Sequence, residues 1–520
     1  MTRLFDSKVF LFFLLTAIFA WRGSEERYLP LILDLLSICP FFNQKSIQNQ
    51  KLFPSCIRIN FQPTWDSIDS RPIPTWYRNA KLGIFCHWGL YSVPAFHSEW
   101  MWYKWKVSNN SDIIEYMKRN YKPGFTYADF AKDFTAQHFN ASIFREIAES
   151  SGARYFVFTS KHHEGFTMWP SITSRSWNSV DVGPHRDIVG DLKNIFRGSS
   201  IHFGLYFSQY EWFNPYYMED RKYKTSNYVK YVSYPQMLEL VKNYEPEIVW
   251  SDGDWEMSDQ YWKSKQFIAW LYNSSPVNST VVVNDRWGSG ISGKHGGFLT
   301  YSDHFDPGYL LERKWENCLP LDKKSWGYRR NMRSDDVNTV NYLISQLVRT
   351  ISCNGNMLLN IGPDESGMIP AIFEDRLHQF GQWVKRNQEA IYDTYPWMYQ
   401  NDSLDIWYTI SSPSGGMVKP DTAWISHSKQ SKLYAFFLKF PVTNTITLSS
   451  VHYTPKLTAE VLLDAGETEL LEVNGISGNP VTLNFTNHQK LIALNPIVIR
   501  ISNFDATYTD PLQKRRKVKS

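Results

Sequence analysis

Between about residue 75 and residue 395 the chain repeats one rhythm: a short apolar run, a polar loop, then a longer stretch whose apolar residues recur every three or four positions. Switching between a continuous apolar run and a 3.6-residue period is the signature of strands alternating with helices. Strands are predicted at 82–86, 155–159, 202–207, 247–250, 280–283, 298–301 and 355–359. Helices are predicted at 141–150, 187–197, 234–243, 260–272, 337–351 and 372–387. Polar residues gather behind the strands rather than in front of them. His87 follows the first, His162-His163-Glu164 the second, Asn284-Asp285-Arg286 the fifth, and Asn360 closes the seventh. Chemistry collected at the carboxyl ends of successive strands is what a (β/α)8 barrel produces. A doubly wound open sheet is the main alternative. Seven strands are read directly, and an irregular eighth is expected near Trp315 or Trp326.

After Pro396 the helical period fades into short segments rich in Thr, Val, Leu, Ile and Ser, such as 405–410, 433–437, 445–448 and 497–501. This texture predicts a C-terminal β-sandwich over 396–508, behind a barrel spanning 60–395. The sandwich lacks an obvious aromatic platform, so it reads as a cap on the barrel before it reads as a carbohydrate-binding module.

The chain's start changes the picture of where it works. Arg3 and Lys8 precede the apolar run 9–20, the layout of a secretory signal peptide and too short to span a bilayer. Residues 21–59 form an extension to which no chemistry is assigned. Six Asn-x-Ser/Thr sequons, at Asn109, Asn140, Asn273, Asn278, Asn401 and Asn484, fit a secretory-pathway protein of lysosomal or extracellular destination. A net charge of +4, partly concentrated in the basic tail 509–520, offers no extended face for nucleic acid. Five widely spaced cysteines contain no Cys-x-x-Cys pair and so neither a disulfide scaffold nor a zinc knuckle; Cys86 and Cys353 read as buried thiols. With 21 Trp and 30 Tyr, the chain holds more amphipathic ring surface than packing alone requires, which suits contact with sugars.

The most informative stretch is Ile248-Val249-Trp250-Ser251-Asp252-Gly253-Asp254-Trp255, where a strand ends in two carboxylates separated by one glycine and bracketed by indoles. Taken alone it is an acidic turn, since Asp-Gly is a common turn dipeptide. Its company changes that reading. Early in the chain stand Pro63-Thr64-Trp65-Asp66-Ser67, Arg71-Pro72-Ile73-Pro74-Thr75-Trp76-Tyr77 and Gly83-Ile84-Phe85-Cys86-His87-Trp88-Gly89. Further on come Ser98-Glu99-Trp100, Lys161-His162-His163-Glu164-Gly165-Phe166, Gly204-Leu205-Tyr206 and Asn284-Asp285-Arg286-Trp287-Gly288. Lys314-Trp315-Glu316, Ser325-Trp326-Gly327-Tyr328 and Asn356-Met357-Leu358-Leu359-Asn360 complete the set. In this order the runs resemble the alpha-L-fucosidases of glycoside hydrolase family 29 over residues 61–397, and more weakly beyond.

The resemblance implies a retaining glycosidase that acts on fucosylated glycoconjugates without metal or cofactor, and it leaves a homo-oligomer open. It aligns Asp252 with the nucleophile, and demotes Asp254 to a supporting acceptor. A retaining enzyme needs a second carboxyl about 5 Å away. Asp303 and Glu316 are the candidates, with Asp303 preferred because it follows a strand-like segment at the barrel's reactive end. Whichever acts must hold a proton, so its pKa is expected to be raised by burial or by Asp252. His87, Glu99, Trp100, His162, His163, Tyr206, Trp250 and Arg286 match the family's sugar-contacting positions. Their chemistry suits the task, since imidazoles exchange hydrogen bonds with hydroxyls, Arg286 donates in a fixed fork, and an indole packs on the C5 methyl of fucose. Each has a plainer reading: His162-His163-Glu164 as a metal site, His87 as a satisfied strand-end histidine, Arg286 as a partner of Asp285. The functional rival is a protein that kept the pocket and lost turnover.

Overall fold

The computed structural model describes residues 60–513 other than 413–421, 427, 429, 442 and 486–490. The expected signal run, the 21–59 extension, Cys39, Cys56 and the end of the basic tail lie outside the described residues. Seven parallel strands form one sheet: β1 Leu82–Cys86, β2 Tyr155–Lys161, β3 His202–Ser208, β4 Ile248–Asp252, β5 Val282–Val283, β6 Trp315–Pro320 and β7 Gly355–Ile361. Their order is β5-β4-β3-β2-β1-β7-β6. Its two ends are joined through residues 298–300. Phe298 N donates to Val283 O at 3.0 Å, Leu299 N to Lys314 O at 2.9 Å, and Glu316 N to Leu299 O at 2.8 Å. The ring therefore closes in chain order as a (β/α)8-like barrel.

Two details differ from the sequence reading. The run 298–301 is a two-sided link rather than a full strand, because the Asp285 carboxylate takes over the ladder. Its Oδ1 accepts from Thr300 N (3.0 Å) and Thr300 Oγ1 (2.6 Å), and Tyr301 then turns left-handed at φ 54°. The strand expected near Trp315 is the regular β6. Along the ring the side chains alternate as a pleat requires. Phe85, Tyr155, Val157, Tyr206, Ile248, Trp250, Val282 and Leu358 fill the lumen, while Ile84, Phe156, Phe158, Leu205, Val249 and Leu359 face the helices. That double burial explains why the strands read as continuous apolar runs.

The helices are α1 Ala141–Ser150, α2 Ile188–Phe196, α3 Tyr234–Tyr244, α4 Ser264–Ser274, α5 Val340–Ser352 and α6 Ala371–Arg386. Side-chain caps start several of them: Asn140 accepts from Ser142 N, Asp187 from Gly190 N and Thr339 from Tyr342 N. The helix expected over 260–272 is broken at Lys263, which is left-handed at φ 56° and separates a four-residue turn from α4.

Eight antiparallel strands follow: β8 Thr394–Ser403, β9 Ile406–Ser411, β10 Leu433–Phe437, β11 Thr445–His452, β12 Thr458–Leu462, β13 Thr468–Asn474, β14 Pro480–Asn484 and β15 Ile497–Ser502. They run β11-β14-β13-β12-β15-β10-β9-β8, and the sheet folds back so that Asp402 of β8 accepts from Ser450 of β11. β10 is buried throughout because it has two cores to serve. Leu433, Ala435 and Phe437 enter the sandwich interior, whereas Tyr434 and Phe436 join Trp407 and Val498 in the layer outside the barrel.

A buried lysine ties the two halves. Lys81, 2% exposed, precedes β1 and donates through Nζ to Thr394 O at 2.8 Å, where β8 begins. Burial, reinforced by Arg78 and opposed by Asp393, lowers its pKa to about 7. Below pH 7 the lysine is protonated in both the folded and unfolded chain, and the full cost of burying the charge is felt. Between about pH 7 and 10.5 the unfolded chain binds the extra proton, so stability rises with pH by up to about 5 kcal/mol. Lys81→Met should flatten that rise while keeping the fold, as read by denaturant unfolding at pH 6 to 10. An unchanged pH slope in the variant would refute this account.

Candidate active site

The chemistry lies at the carboxyl ends of the barrel strands, in a pocket of about 110 Å³ lined by Phe85, His87, Glu99, Trp100, His162, His163, Tyr206, Trp250, Asp252, Trp255, Arg286, Asp303 and Trp326. That is well below the roughly 300–1,000 Å³ of sites for drug-sized ligands, and suits a single small ring. All eight expected sugar-contacting residues meet there, together with Asp252 and Asp303.

Asp252 is the last residue of β4. Its Oδ2 accepts from Tyr206 Oη at 2.8 Å and its Oδ1 from Arg286 Nη1 at 3.0 Å. Gly253 has no alternative here: its φ is 66°, and a Cβ would fall 2.6 Å from the Tyr210 ring and 2.9 Å from Ser208 Oγ. Asp254 turns away from the pocket and accepts from Gly288 N at 2.6 Å. Burial, aided by the charge of Asp252 and opposed by that hydrogen bond, pushes its pKa up to about 6.

Arg286 is the hub. Nε donates to Thr300 Oγ1 (3.1 Å), Nη1 to Asp252 and Nη2 to Asp303 Oδ1 (2.6 Å), while its guanidinium carbon lies 4.7 Å from the centroid of the Trp250 ring. The plainer pairing with Asp285 does not occur, since Asp285 is spent on Thr300, Tyr301 and Gly293. The raised pKa expected for Asp303 is also corrected. Burial raises it, but the charge and hydrogen bond of Arg286 outweigh burial and hold the carboxyl below its ordinary value.

The histidines are oriented from behind. Asn360 donates through Nδ2 to Trp326 O at 2.7 Å, which turns its Oδ1 toward His87 Nδ1, also at 2.7 Å. His87 therefore carries its hydrogen on Nδ1 and offers a lone pair at Nε2. Burial, with His162 nearby, lowers its pKa to about 3 and keeps it neutral. His163 is set likewise: Ser208 Oγ donates to Tyr210 O and accepts from His163 Nδ1 at 2.7 Å. Burial holds its pKa well down, so the 3.6 Å approach of its Nε2 to Asp252 Oδ2 is not an ion pair. A sugar hydroxyl lying to one side of that pair is within reach of either atom as a donor. His162 Nδ1 faces Glu164 Oε2 at 3.4 Å. The adjacent histidines thus turn to different partners, and among the described residues no group of three or more His, Cys, Asp or Glu is arranged to hold a metal ion. Glu99 Oε2 accepts from Ser325 Oγ, Trp326 N and Gly327 N at 3.0–3.1 Å, fastening the Trp326 loop over the pocket.

Glu316 does not reach the pocket. It sits at the start of β6 with no exposure, its Oε2 accepting from Tyr77 and Tyr155 hydroxyls (both 2.7 Å) and its Oε1 from Trp250 Nε1 (2.8 Å). Burial raises its pKa and those three donors work against the rise.

Residues 50–389 match the profile of the family described as alpha-L-fucosidase. The chain belongs to the alpha-L-fucosidase family. A Caenorhabditis elegans protein, itself named only as a candidate alpha-L-fucosidase, is 61% identical over 70% of this chain and 76% of its own length. Human plasma alpha-L-fucosidase is 47% identical over 80% of this chain and 85% of its own. The crystal structure of Thermotoga maritima alpha-fucosidase in complex with fucose superposes with a TM-score of 0.68 at 28% identity, covering 85% of this chain and all of the other. The same bacterial enzyme with a mechanism-based inhibitor gives 0.69 at 29% identity.

For this family member, the sequence reading left Phe85 and Trp326 out of the pocket, and named Trp255 only as an indole bracketing the acidic strand end. Phe85 was within reach of a period-two argument, standing two residues before His87 and so facing the same way. Trp255 and Trp326 come from loops, where no period applies. Gly253→Ala should cost about 1–2 kcal/mol of stability for the left-handed backbone. It should lower kcat about a hundredfold by displacing Asp252, as measured by thermal unfolding and aryl fucoside hydrolysis. Activity within twofold of wild type would contradict the stated role of the glycine.

Proposed function

We propose that this glycoside hydrolase releases terminal alpha-L-fucose from glycoconjugates with retention, through a covalent fucosyl-enzyme intermediate. One observation carries the reading: a single guanidinium, Arg286, holds Asp252 and Asp303 by adjacent nitrogens across one small pocket. Two carboxyls kept that close suit the short spacing of retaining enzymes, about 5 Å, better than the wider gap that an inverting enzyme leaves for water. The fucose and mechanism-based inhibitor complexes of the bacterial neighbour support the substrate and the covalent route.

In this reading Asp252 attacks the anomeric carbon as the bond to the leaving oxygen breaks, and Asp303 gives that oxygen a proton. Water then attacks the same carbon, returns a proton to Asp303 and frees Asp252. Neutral His87 and His163 accept from sugar hydroxyls, Arg286 donates, and Trp250, Trp255 and Trp326 supply apolar faces. Glu316 is a structural acceptor beneath Trp250. Because Arg286 holds Asp303 ionised, the acid role requires that pair to part when substrate binds. We place the enzyme in the secretory pathway, lysosomal or extracellular, on the signal-like run 9–20 and the plasma and tissue enzymes among its relatives.

Asp252→Gly should abolish aryl fucoside hydrolysis, and azide should restore an inverted fucosyl product; near-normal activity without azide would sink the assignment. Asp303→Ala should lose about 10²–10⁴-fold on poor leaving groups and little on activated ones. Glu316→Ala should lose stability, with activity falling equally on both substrates. If the leaving-group dependence followed Glu316 instead, the acid would be reassigned. The pH profiles add a further check. The free enzyme reports the Arg286-lowered Asp303, so the alkaline limb of kcat should lie at higher pH than that of kcat/KM. Coincident limbs would mean that the pair does not part.

A further inference from the structure

The wall that presents Trp255 to the pocket continues outward as Glu256 and Met257. These two line a second depression, a groove of about 590 Å³, with Met218, Arg221, Lys222 and Lys224. The helix Pro215–Tyr223 supplies half of that lining and ends at Lys224, whose left-handed backbone turns the chain there. Three cations thus face one carboxylate. That carboxylate is engaged, since Glu256 Oε2 accepts from Tyr217 Oη at 2.9 Å and lies 3.3 Å from Arg221 Nε. The helix's own Asp220 is turned inward, buried, and occupied by Asn227 N, Tyr228 N and Tyr261 Oη at 2.8–2.9 Å. Neither Asp220 nor its neighbour Glu219 lines the groove, whose charged lining is therefore three cations and one carboxylate. In a chain whose net charge is only +4 this is a local concentration, and it lies beside large exposed side chains: Met218 is 52% and Tyr223 62% exposed.

We infer that this groove receives the part of the glycan beyond fucose when that part carries an anionic group, a sulfate or a carboxylate on a neighbouring sugar. The inference rests on the fucosidase reading of the adjoining pocket. It follows from contiguity, because Trp255 of the pocket and Glu256 and Met257 of the groove are consecutive residues. It also follows from chemistry: flexible ammonium groups and a guanidinium bind oxyanions, and the exposed Tyr223 ring, 4.8 Å from Lys222 Nζ, offers a face to a sugar. Exposed charges are screened within about 8 Å at physiological salt, so the effect is one of substrate preference that salt weakens.

The test compares kcat/KM of wild type and the Lys222→Glu/Lys224→Glu variant on fucosylated N-acetyllactosamine in three forms: uncharged, 6-sulfated on the N-acetylglucosamine, or sialylated on the galactose. Wild type should favour a charged form at low salt. The double variant should cut that form's kcat/KM at least about fivefold, with uncharged and aryl substrates kept within twofold. The sulfated and sialylated arms identify which anion is taken. No charge preference in wild type, or a preference that survives both the double variant and high salt, overturns the inference. Failure of both proteins on uncharged and aryl fucosides would instead overturn the fucosidase reading, and the groove's role with it.

Discussion

The pocket is oriented from below by one buried carboxylate. Glu316, without access to solvent in the barrel lumen, satisfies its oxygens with the hydroxyls of Tyr77 and Tyr155 and the indole N–H of Trp250. A buried charge lacking such partners would cost several kcal/mol, so the three donors and the acid specify one another. The consequence travels upward. With its N–H held at the lumen floor, Trp250 presents a fixed face, over which the Arg286 guanidinium packs at 4.7 Å. Arg286 in turn sets the positions of Asp252 and Asp303. A residue that never touches the pocket thereby fixes the geometry of both carboxylates that do.

The same dependence explains how much of the site was legible in the sequence. Residues at strand carboxyl ends were readable because the barrel sends every such end to one face: Asp252 closes β4, His87 follows β1, and His162 and His163 follow β2. Glu316 stayed ambiguous because the rule needs strand boundaries. Trp315-Glu316 opens β6 rather than closing it, so its carboxylate belongs to the opposite end of the lumen. The irregular 298–300 link was also out of reach. It depends on Asp285 reaching fifteen residues along the chain to Thr300, a contact that no local periodicity encodes. The short break at Lys263 is of the same kind, a left-handed residue inside an otherwise good amphipathic pattern.

Three of the C-terminal strands are buried on both faces. In β9, β10 and β15, alternate residues enter either the sandwich interior or the layer against the barrel helices. Trp407 is fully committed there, with the Arg349 guanidinium 5.1 Å from its ring and its indole N–H donating to Leu404 O. Trp383 on α6 likewise donates across the junction to Pro496 O. Trp407, Tyr434 and Phe436 therefore join this half to the barrel, while Trp397, Tyr408, Phe437 and Phe485 fill the sandwich interior. Polar threonines such as Thr447 and Thr482, hydrogen-bonded across β11 and β14, occupy the outward positions.

A retaining site asks opposite things of its two carboxyls: one must be ionised to attack, the other protonated to donate. Arg286 serves the first demand and opposes the second, because a cation beside a carboxyl always favours the charged form. The two contacts are nevertheless unequal in their setting. Asp252 ends a buried strand and is also held by Tyr206, whereas the Asp303 side chain is 42% exposed on a loop whose neighbours Tyr301 and His304 both adopt left-handed backbone. Of the two partners, the rigid one stays in place and the loop-borne one has somewhere to go. Sugar binding that competes for the guanidinium would release Asp303 first, beside the negative charge of Asp252. That charge raises a carboxyl's pKa, so the proton would be acquired only once there is a leaving group to receive it.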